Sequence, residues 1–589
     1  MKVRMKGCVY MFGKVLNINE NSITLENSSH EVHSELMGCH VIFDETPKKI
    51  VGEIIKLTSE MVEILLVGEI YDNHFFPGAL RKPTTIPRII TKGELELIIG
   101  IQADTKSNLL LGSSNVYKDF KISVDVNSIF ANHFAIIGNS GSGKSCGVTR
   151  MLQNLFLKND KTVNSHFVLF DAYGEYKNAF NFMNESGLGF KKMNTEKDMP
   201  GSSVLRLPLN FLDVDDLAIL LSVTDADQIP VLEKALKLTY IFTSKDDKVI
   251  EYKNDIIAKC LLDILTSGKS APQMRDQVTA VLSHYNTKDL NLESTIEWPG
   301  YNRTLAQCLI VDDQGKMNAM ALVIKFLNEF VKVSLDDIVI GKREVYTLDD
   351  LYYALEFALI SEGTLNSGIS YDRNNILKAR LQSIINGRYK QIFDFGRYIT
   401  KEEYITKYFF TNEKGKVQLV DVDLSYLDDR FAKVITKLLS KLFFNYTSSL
   451  APRGTYPINI ILEEAHRYVQ SDTDIDIIGY NIFDRITKEG RKYGTFLTFI
   501  TQRPSELSPT ALSQCSNFIV FRIFHPKDFE IVKEMSTNIT EESLNVLKTL
   551  NSGTALGFGT AFKIPLIVNF DLADPMPESS SLNLSKIWY

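Results

Sequence analysis

Two clusters in the sequence carry chemistry. The first is Gly138-Asn139-Ser140-Gly141-Ser142-Gly143-Lys144-Ser145, followed by Cys146. Its spacing fits GxxxxGK[ST] without a mismatch, and it lies between an apolar strand pattern over 133–137 and a helical pattern. Glycines in such a loop let backbone N–H groups turn inward around phosphates. Lys144 would reach the β- and γ-phosphates of ATP, Ser145 would ligate Mg2+, and the helix N-terminus would add the positive end of its dipole. Cys146 falls in the first turn of that helix, among the nucleotide-binding positions. A helix N-terminus can lower a thiol pKa, but a small packed residue is the simpler reading. The second cluster is "INIILEEAHRY", in which an apolar run ends in Glu463, Glu464 and His466. Burying two like charges is costly, so something cationic is expected at the end of this strand. With a P-loop in the same chain, Glu463 would hold the water shell of Mg2+ and Glu464 would orient the attacking water. Alone, the same residues would be a solvated strand end. The strand that carries them is expected beside the P-loop strand. Because adjacent strand residues point to opposite faces, both carboxylates reach one site only if the backbone turns there.

The elements that must position these groups are legible as patterns. A chain of 589 residues is too long for one core and predicts two to four domains. Residues 1–100 read as all-β, from "NSITLE", "HVIF", "KIVGEII", "MVEILLVGEI" and "ELELIIG". From 101 the pattern becomes α/β. "HFAIIG", "HFVLFD", "QLVDVDLS", "INIILEE", "GTFLTFIT" and "FIVFRI" are apolar runs of buried parallel strands, with helical stretches between several of them. The expected division is a β-module over 1–100, an α/β core in two parts over 101–210 and 401–575, a helical insertion over 211–400, and an extended tail over 576–589.

Composition narrows the function. Hydrophobic residues at 44% and charged residues at 23% are ordinary globular values. A net charge of -7 excludes a bulk basic surface, so any nucleic-acid contact must be local. "GRKYG" and "TSKDDK" are such local sites, and Arg485, Lys488 and Lys492 lie near the first. No apolar run approaches the roughly 18 residues of a membrane span, and the N-terminal stretch lacks an apolar signal region. The six cysteines form no CxxC pair, which fits a reduced cytoplasm and argues against zinc. Abundant Asn, with Met and Cys retained, argues against a hyperthermophilic source.

Further segments carry a resemblance. "HFVLFDAYGEY" places Asp171 and Glu175 after a strand, "VQLVDVDLSYL" ends a strand in Asp423-Leu-Ser425, and "ILEEAHRY" is followed by "ITKEGRKYGTFLTFITQRPSELSPTALSQCSNFIVFRI". Together, and with "LKARLQSIINGRY", they closely resemble the HerA family of the HerA/FtsK ring ATPases. The resemblance implies a RecA-like P-loop ATPase core preceded by a small β-barrel, the HAS barrel. It implies a homohexamer that hydrolyses ATP at subunit interfaces and passes double-stranded DNA through its channel. Glu464 matches the catalytic carboxylate, and Gln502 the polar residue that senses the γ-phosphate. Arg491 resembles the arginine supplied by a neighbouring subunit, with Arg503 as runner-up. Asp171 and Glu175 read as supporting acids near the P-loop. The family's motors work with separately encoded partners, either nucleases in DNA end resection or, in antiphage defence, nuclease or sirtuin-like NAD-hydrolysing effectors. The expectation is therefore an ATP-driven DNA translocase or helicase of a bacterial antiphage defence system, with an effector docked on the N-terminal barrel; a DNA-end-resection motor paired with a NurA-like nuclease is one alternative. An ATP-gated scaffold ring with little translocation is the other.

Overall fold

The structure is a computed structural model. It describes residues 11–578, together with 585 and 588, except for residues 79–81, 101–105, 118–119, 159, 197–198, 245, 299, 333–344, 364–367, 472–473, 537–538 and 540–543. Cys8, Lys245 of "TSKDDK" and most of the tail lie outside the described residues. The chain divides into two compact units, one made of Met1–Ser203, Glu402–Ser471 and Asn481–Tyr589, the other of Val204–Lys401 and Asp472–Tyr480.

The first unit opens with a seven-stranded sheet. Its strands are β1 (Phe12–Ile18), β2 (Ser22–Asn27), β3 (His40–Glu45), β4 (Lys48–Leu57), β5 (Met61–Tyr71), β6 (His74–Pro77) and β7 (Arg88–Ile89). The order is β1-β2-β5-β4-β3-β7, with β6 added to β5. Alternation along β2, with Ile23 and Leu25 buried and Thr24 less so, is what an antiparallel strand with one face on a core requires. Among the described residues β1 and β7 do not pair with each other, so the described strands form a half-barrel sheet. One of its expected strands is a helix. "ELELIIG" lies in the helix Lys92–Ile99, where Thr91 and Glu94 form a reciprocal capping box and Leu95, Ile98 and Ile99 share the buried side. The i, i+3, i+4 spacing and the cap outweigh the strand-like composition. The sheet also lacks a private core, because one apolar cluster runs from Val41 and Ile64 through Ile98 to Ile136 and Leu152.

The larger sheet of this unit positions the chemistry. Eleven of its twelve strands are β8 (Asn108–Ser114), β9 (Lys121–Asp125), β10 (Phe134–Ile137), β11 (Phe167–Asp171), β12 (Phe190–Asn194), β13 (Leu419–Asp423), β14 (Ile458–Leu462), β15 (Thr495–Thr501), β16 (Asn517–Val520), β17 (Thr554–Gly559) and β18 (Leu566–Phe570). They lie in the order β12-β13-β11-β14-β15-β10-β16-β17-β18-β8-β9. From β12 to β16 all pairings are parallel. From β16 to β9 they are antiparallel. Parallel strands covered on both faces read as continuous apolar runs, and β10, β11, β14 and β15 are buried throughout. The strand with the two glutamates is not beside the P-loop strand as expected. β15 is inserted between β14 and β10 and pairs in register with both.

The second unit is mainly helical. Helices include Val214–Leu220, Ile229–Thr243, Asp247–Thr266, Ala271–His284, Met320–Asn328, Leu348–Gly363 and Gly368–Asn386, with one hairpin, Thr295–Trp298 with Tyr301–Thr304. Ile229–Thr243 and Leu348–Gly363 pack together, and Phe242 meets Phe357 edge-on at 5.2 Å. Among the described residues no helix is long and apolar enough to cross a membrane.

Candidate active site

The P-loop leaves the C-terminal end of β10 and turns into the helix Lys144–Phe156. Gly141 and Gly143 have φ of 71° and 103°, a region that L side chains rarely adopt. A Cβ at Gly143 would lie 2.7 Å from Gly553 N, and one at Gly138 2.6 Å from Phe521 Cβ, so neighbouring chain segments close the outer wall of the loop. Gly553 N–H donates to Ser142 O (2.9 Å), and the Ser552 hydroxyl donates to Gly141 O (3.0 Å). The Lys144 ammonium is buried and donates to Asn139 O at 3.0 Å. Burial lowers its pKa, against the opposing pull of Glu464, Glu463 and Glu175.

β14 ends at Leu462, and the backbone then turns as the chemistry requires. Glu464 has φ 46° and ψ 47°, a left-handed conformation rarely held by a non-glycine residue outside functional sites. That turn brings both glutamates inward, and both are buried. Their environments differ. Glu463 accepts from Ala172 N–H and the Tyr176 hydroxyl, each at 3.1 Å, and shares a hydrogen bond with Asp171. Burial and the neighbouring carboxylates push its pKa well up. Asp171 is raised by burial as well, but N–H groups of Tyr173, Gly174 and Tyr176 at 3.1, 2.7 and 3.0 Å hold its negative charge. Of this pair, Glu463 is therefore the better proton holder. Glu464 faces the site. Its Oε1 accepts from the Gln502 amide, its Oε2 lies 3.4 Å from His466 Nδ1, and Oε2 is buried without a hydrogen-bond partner. Burial first, then Asp171, raises the Glu175 pKa, and the nearby Ser145 side chain draws it down.

Lys144 thus faces Glu464, Glu463 and Glu175, with Asp171 behind them on Glu463. Buried negative charge in excess of positive, together with the orphaned Glu464 oxygen, fits a site for Mg2+ with a triphosphate. Ser145 and the nearby acids would hold the ion, which would neutralise charge developing on the phosphate.

The structure brings Gly138–Cys146, Asp171, Glu175, Glu463, Glu464 and Gln502 to the C-terminal ends of the parallel strands. Arg503 is at the same end and pairs with Glu506 at 2.8 Å. Arg491 is not there. It lies in the turn Gly490–Lys492 before β15, close enough to His133 ahead of β10 to influence it. The seven residues of β15 put about 20 Å between the two ends at roughly 3.3 Å per residue. Sequence reasoning missed Tyr176 on Glu463 and the Arg467 guanidinium, which lies 5.8 Å from the Tyr173 ring centroid and also pairs with Asp429. Both residues stand inside motifs already quoted, but their contacts cross between distant strands.

A phosphate loop, buried carboxylates one strand away and a glutamine on the strand between define a P-loop ATPase. Residues 109–443 match the family model described as the central domain of helicase HerA, and the chain belongs to the HerA helicase family. A probable helicase of Methanocaldococcus jannaschii is 24% identical over 89% of this chain and 79% of its own length. The DNA double-strand break repair helicase HerA of Pyrococcus furiosus is 22% identical over 88% and 78%. That of Sulfolobus acidocaldarius is 31% identical over 34% of this chain and 39% of its own length. Among solved structures, the plasmid coupling protein TrwB with a non-hydrolysable GTP analogue aligns over 83% of this chain and 95% of that one, at 10% identity and a TM-score of 0.43.

Proposed function

We propose that the chain is an ATP-driven motor on double-stranded DNA, assembled as a hexameric ring in which each subunit completes its neighbour's active site. One observation carries the reading: the cis site holds the phosphate loop, carboxylates and Gln502 at one end of the sheet, while Arg491 stands at the other end. Lys144 binds the β- and γ-phosphates, and the backbone N–H groups of Gly138–Cys146 orient them. Ser145, supported by Glu175, would hold Mg2+, with Glu463 and Asp171 as nearby acids, and the ion would neutralise charge on the phosphates. Glu464 accepts the proton of the attacking water, and Gln502 fixes the Glu464 carboxylate and reports on the γ-phosphate. Arg491 of an adjacent subunit would neutralise charge in the transition state, which makes hydrolysis depend on assembly.

The N-terminal module, a HAS-type barrel by family resemblance, is the proposed docking surface for a separately encoded nuclease or NAD-hydrolysing effector, in antiphage defence or DNA end resection. The decisive experiment is ATP turnover with and without double-stranded DNA. A motor is expected to be stimulated, with affinity falling as salt rises because phosphates are the target. Turnover indifferent to DNA in intact rings would leave an ATP-gated scaffold as the function.

A further inference from the structure

After β18 the chain does not stop at the sheet. Residues 571–578 run back along the helix that follows the P-loop. Burial is a poor reason for them to lie there, because Leu572 and Met576 are 68% and 55% exposed. Polar contacts hold the segment instead. Ala573 N–H donates to Cys146 Sγ at 3.4 Å. Gln153, fully buried in the middle of the P-loop helix, then makes three bonds with one amide. Its Oε1 accepts from Asp574 N–H at 2.9 Å, and its Nε2 donates to Pro575 O at 2.8 Å and to Ala179 O at 3.1 Å. The segment ends on the loop that carries Glu175: Glu578 N–H donates to Glu175 O at 2.7 Å. The Glu578 carboxylate meets Lys177 at 3.0 Å and accepts from Asn178.

These contacts converge on one group. The loop from Asp171 to Ala179 is tied at its far end to the P-loop helix through Gln153 and at Glu175 itself to the returning segment. The Ser145 side chain lies near enough to the Glu175 carboxylate to draw its pKa down against burial. We propose that residues 571–578 form a strap that sets Glu175 against Ser145, with Gln153 and Glu578 as positioning residues for ATP hydrolysis. The proposal rests on the reading of Ser145 and Glu175 given above. It also makes the strap a handle on turnover, since whatever pulls it from Glu175 loosens the group behind Ser145.

The test uses the full-length assembled protein and four changes: Gln153→Met, Glu578→Lys, the charge swap Lys177→Glu with Glu578→Lys, and Glu175→Gln. Gln153→Met keeps the volume and removes the three bonds, and it should lower kcat about tenfold with KM for ATP unchanged. Glu578→Lys should lower kcat about threefold, because an exposed ion pair is worth little alone, and the swap should restore it. In a Glu175→Gln background neither change should slow turnover further, the non-additivity expected of groups acting through one residue. Losses that multiply with that of Glu175→Gln overturn the strap, as does unchanged kcat in folded variants. If Gln153→Met does not fold, the Glu578 pair decides. If Glu175→Gln itself turns over normally, the reading of Glu175 fails first and takes the strap with it.

Discussion

The two ends of the parallel sheet are built from the same strands and differ in almost everything else. At the C-terminal end stand a glycine loop, a left-handed Glu464, three carboxylates acting on one ammonium and a buried oxygen without a partner. At the N-terminal end His133 Nδ1 accepts from Leu497 N–H at 2.9 Å, and Arg491 stands beside it at the head of β15. One end gathers buried carboxylates, and the other carries Arg491 beside a buried histidine. On the proposed reading each end is half an active site, and a neighbouring copy would supply the other half.

Four measurements sharpen or break that contrast. The largest effect is expected from Arg491→Ala, which should cut ATP turnover by about 10³-fold or more in assembled protein while nucleotide binding persists. Mixing it with Glu464→Gln should recover activity, because some interfaces then carry an intact member of each pair. No recovery in demonstrably mixed rings would return Arg491 to a structural role. Glu464→Gln alone should lose about 10²–10⁴-fold in turnover and still bind ATP, unlike Lys144→Ala, whose binding itself should fail. Equilibrium binding beside steady-state turnover separates the two.

Gln502→Ala comes next, at about 10–100-fold in kcat, since it frees the Glu464 carboxylate without removing it. A loss confined to KM would mean that Gln502 serves binding and not the nucleophile. The smallest effect belongs to the other end. Burial, with Arg491 nearby, pushes the His133 pKa from 6.5 down to about 4. The folded state thus excludes a proton that the unfolded chain takes up, so stability is present above pH 6.5 and is lost as pH falls toward 4. The cost is at most about 3 kcal/mol. Thermal melts at pH 7 and pH 5 should show a shallower drop for His133→Gln than for the parent. Some drop should remain, because His40 and His166 are likewise held down to about 4.

What the sequence by itself determined is what is local. The P-loop is eight contiguous residues whose glycines dictate the backbone, and the strands at 134–137, 458–462 and 495–501 are apolar because both faces are covered. The Glu463–Glu464 pair was legible as a chemical anomaly, since two adjacent carboxylates closing a buried strand demand a cation. Tertiary structure alone decided the rest. Nothing in "GTFLTFIT" says that it lies between the P-loop strand and the glutamate strand, because pairing order depends on how crossovers wind and not on strand composition. The helix at Lys92–Ile99 hid within a strand-like apolar run until its Thr91–Glu94 cap was formed. Glu463 and Glu464 are neighbours of identical chemistry. A left-handed backbone at Glu464 and the N–H of Ala172, 291 positions away, send one carboxylate down onto Asp171 and the other out toward Gln502. Such divergence is a property of contacts between distant segments, and no reading of residue types in order contains it.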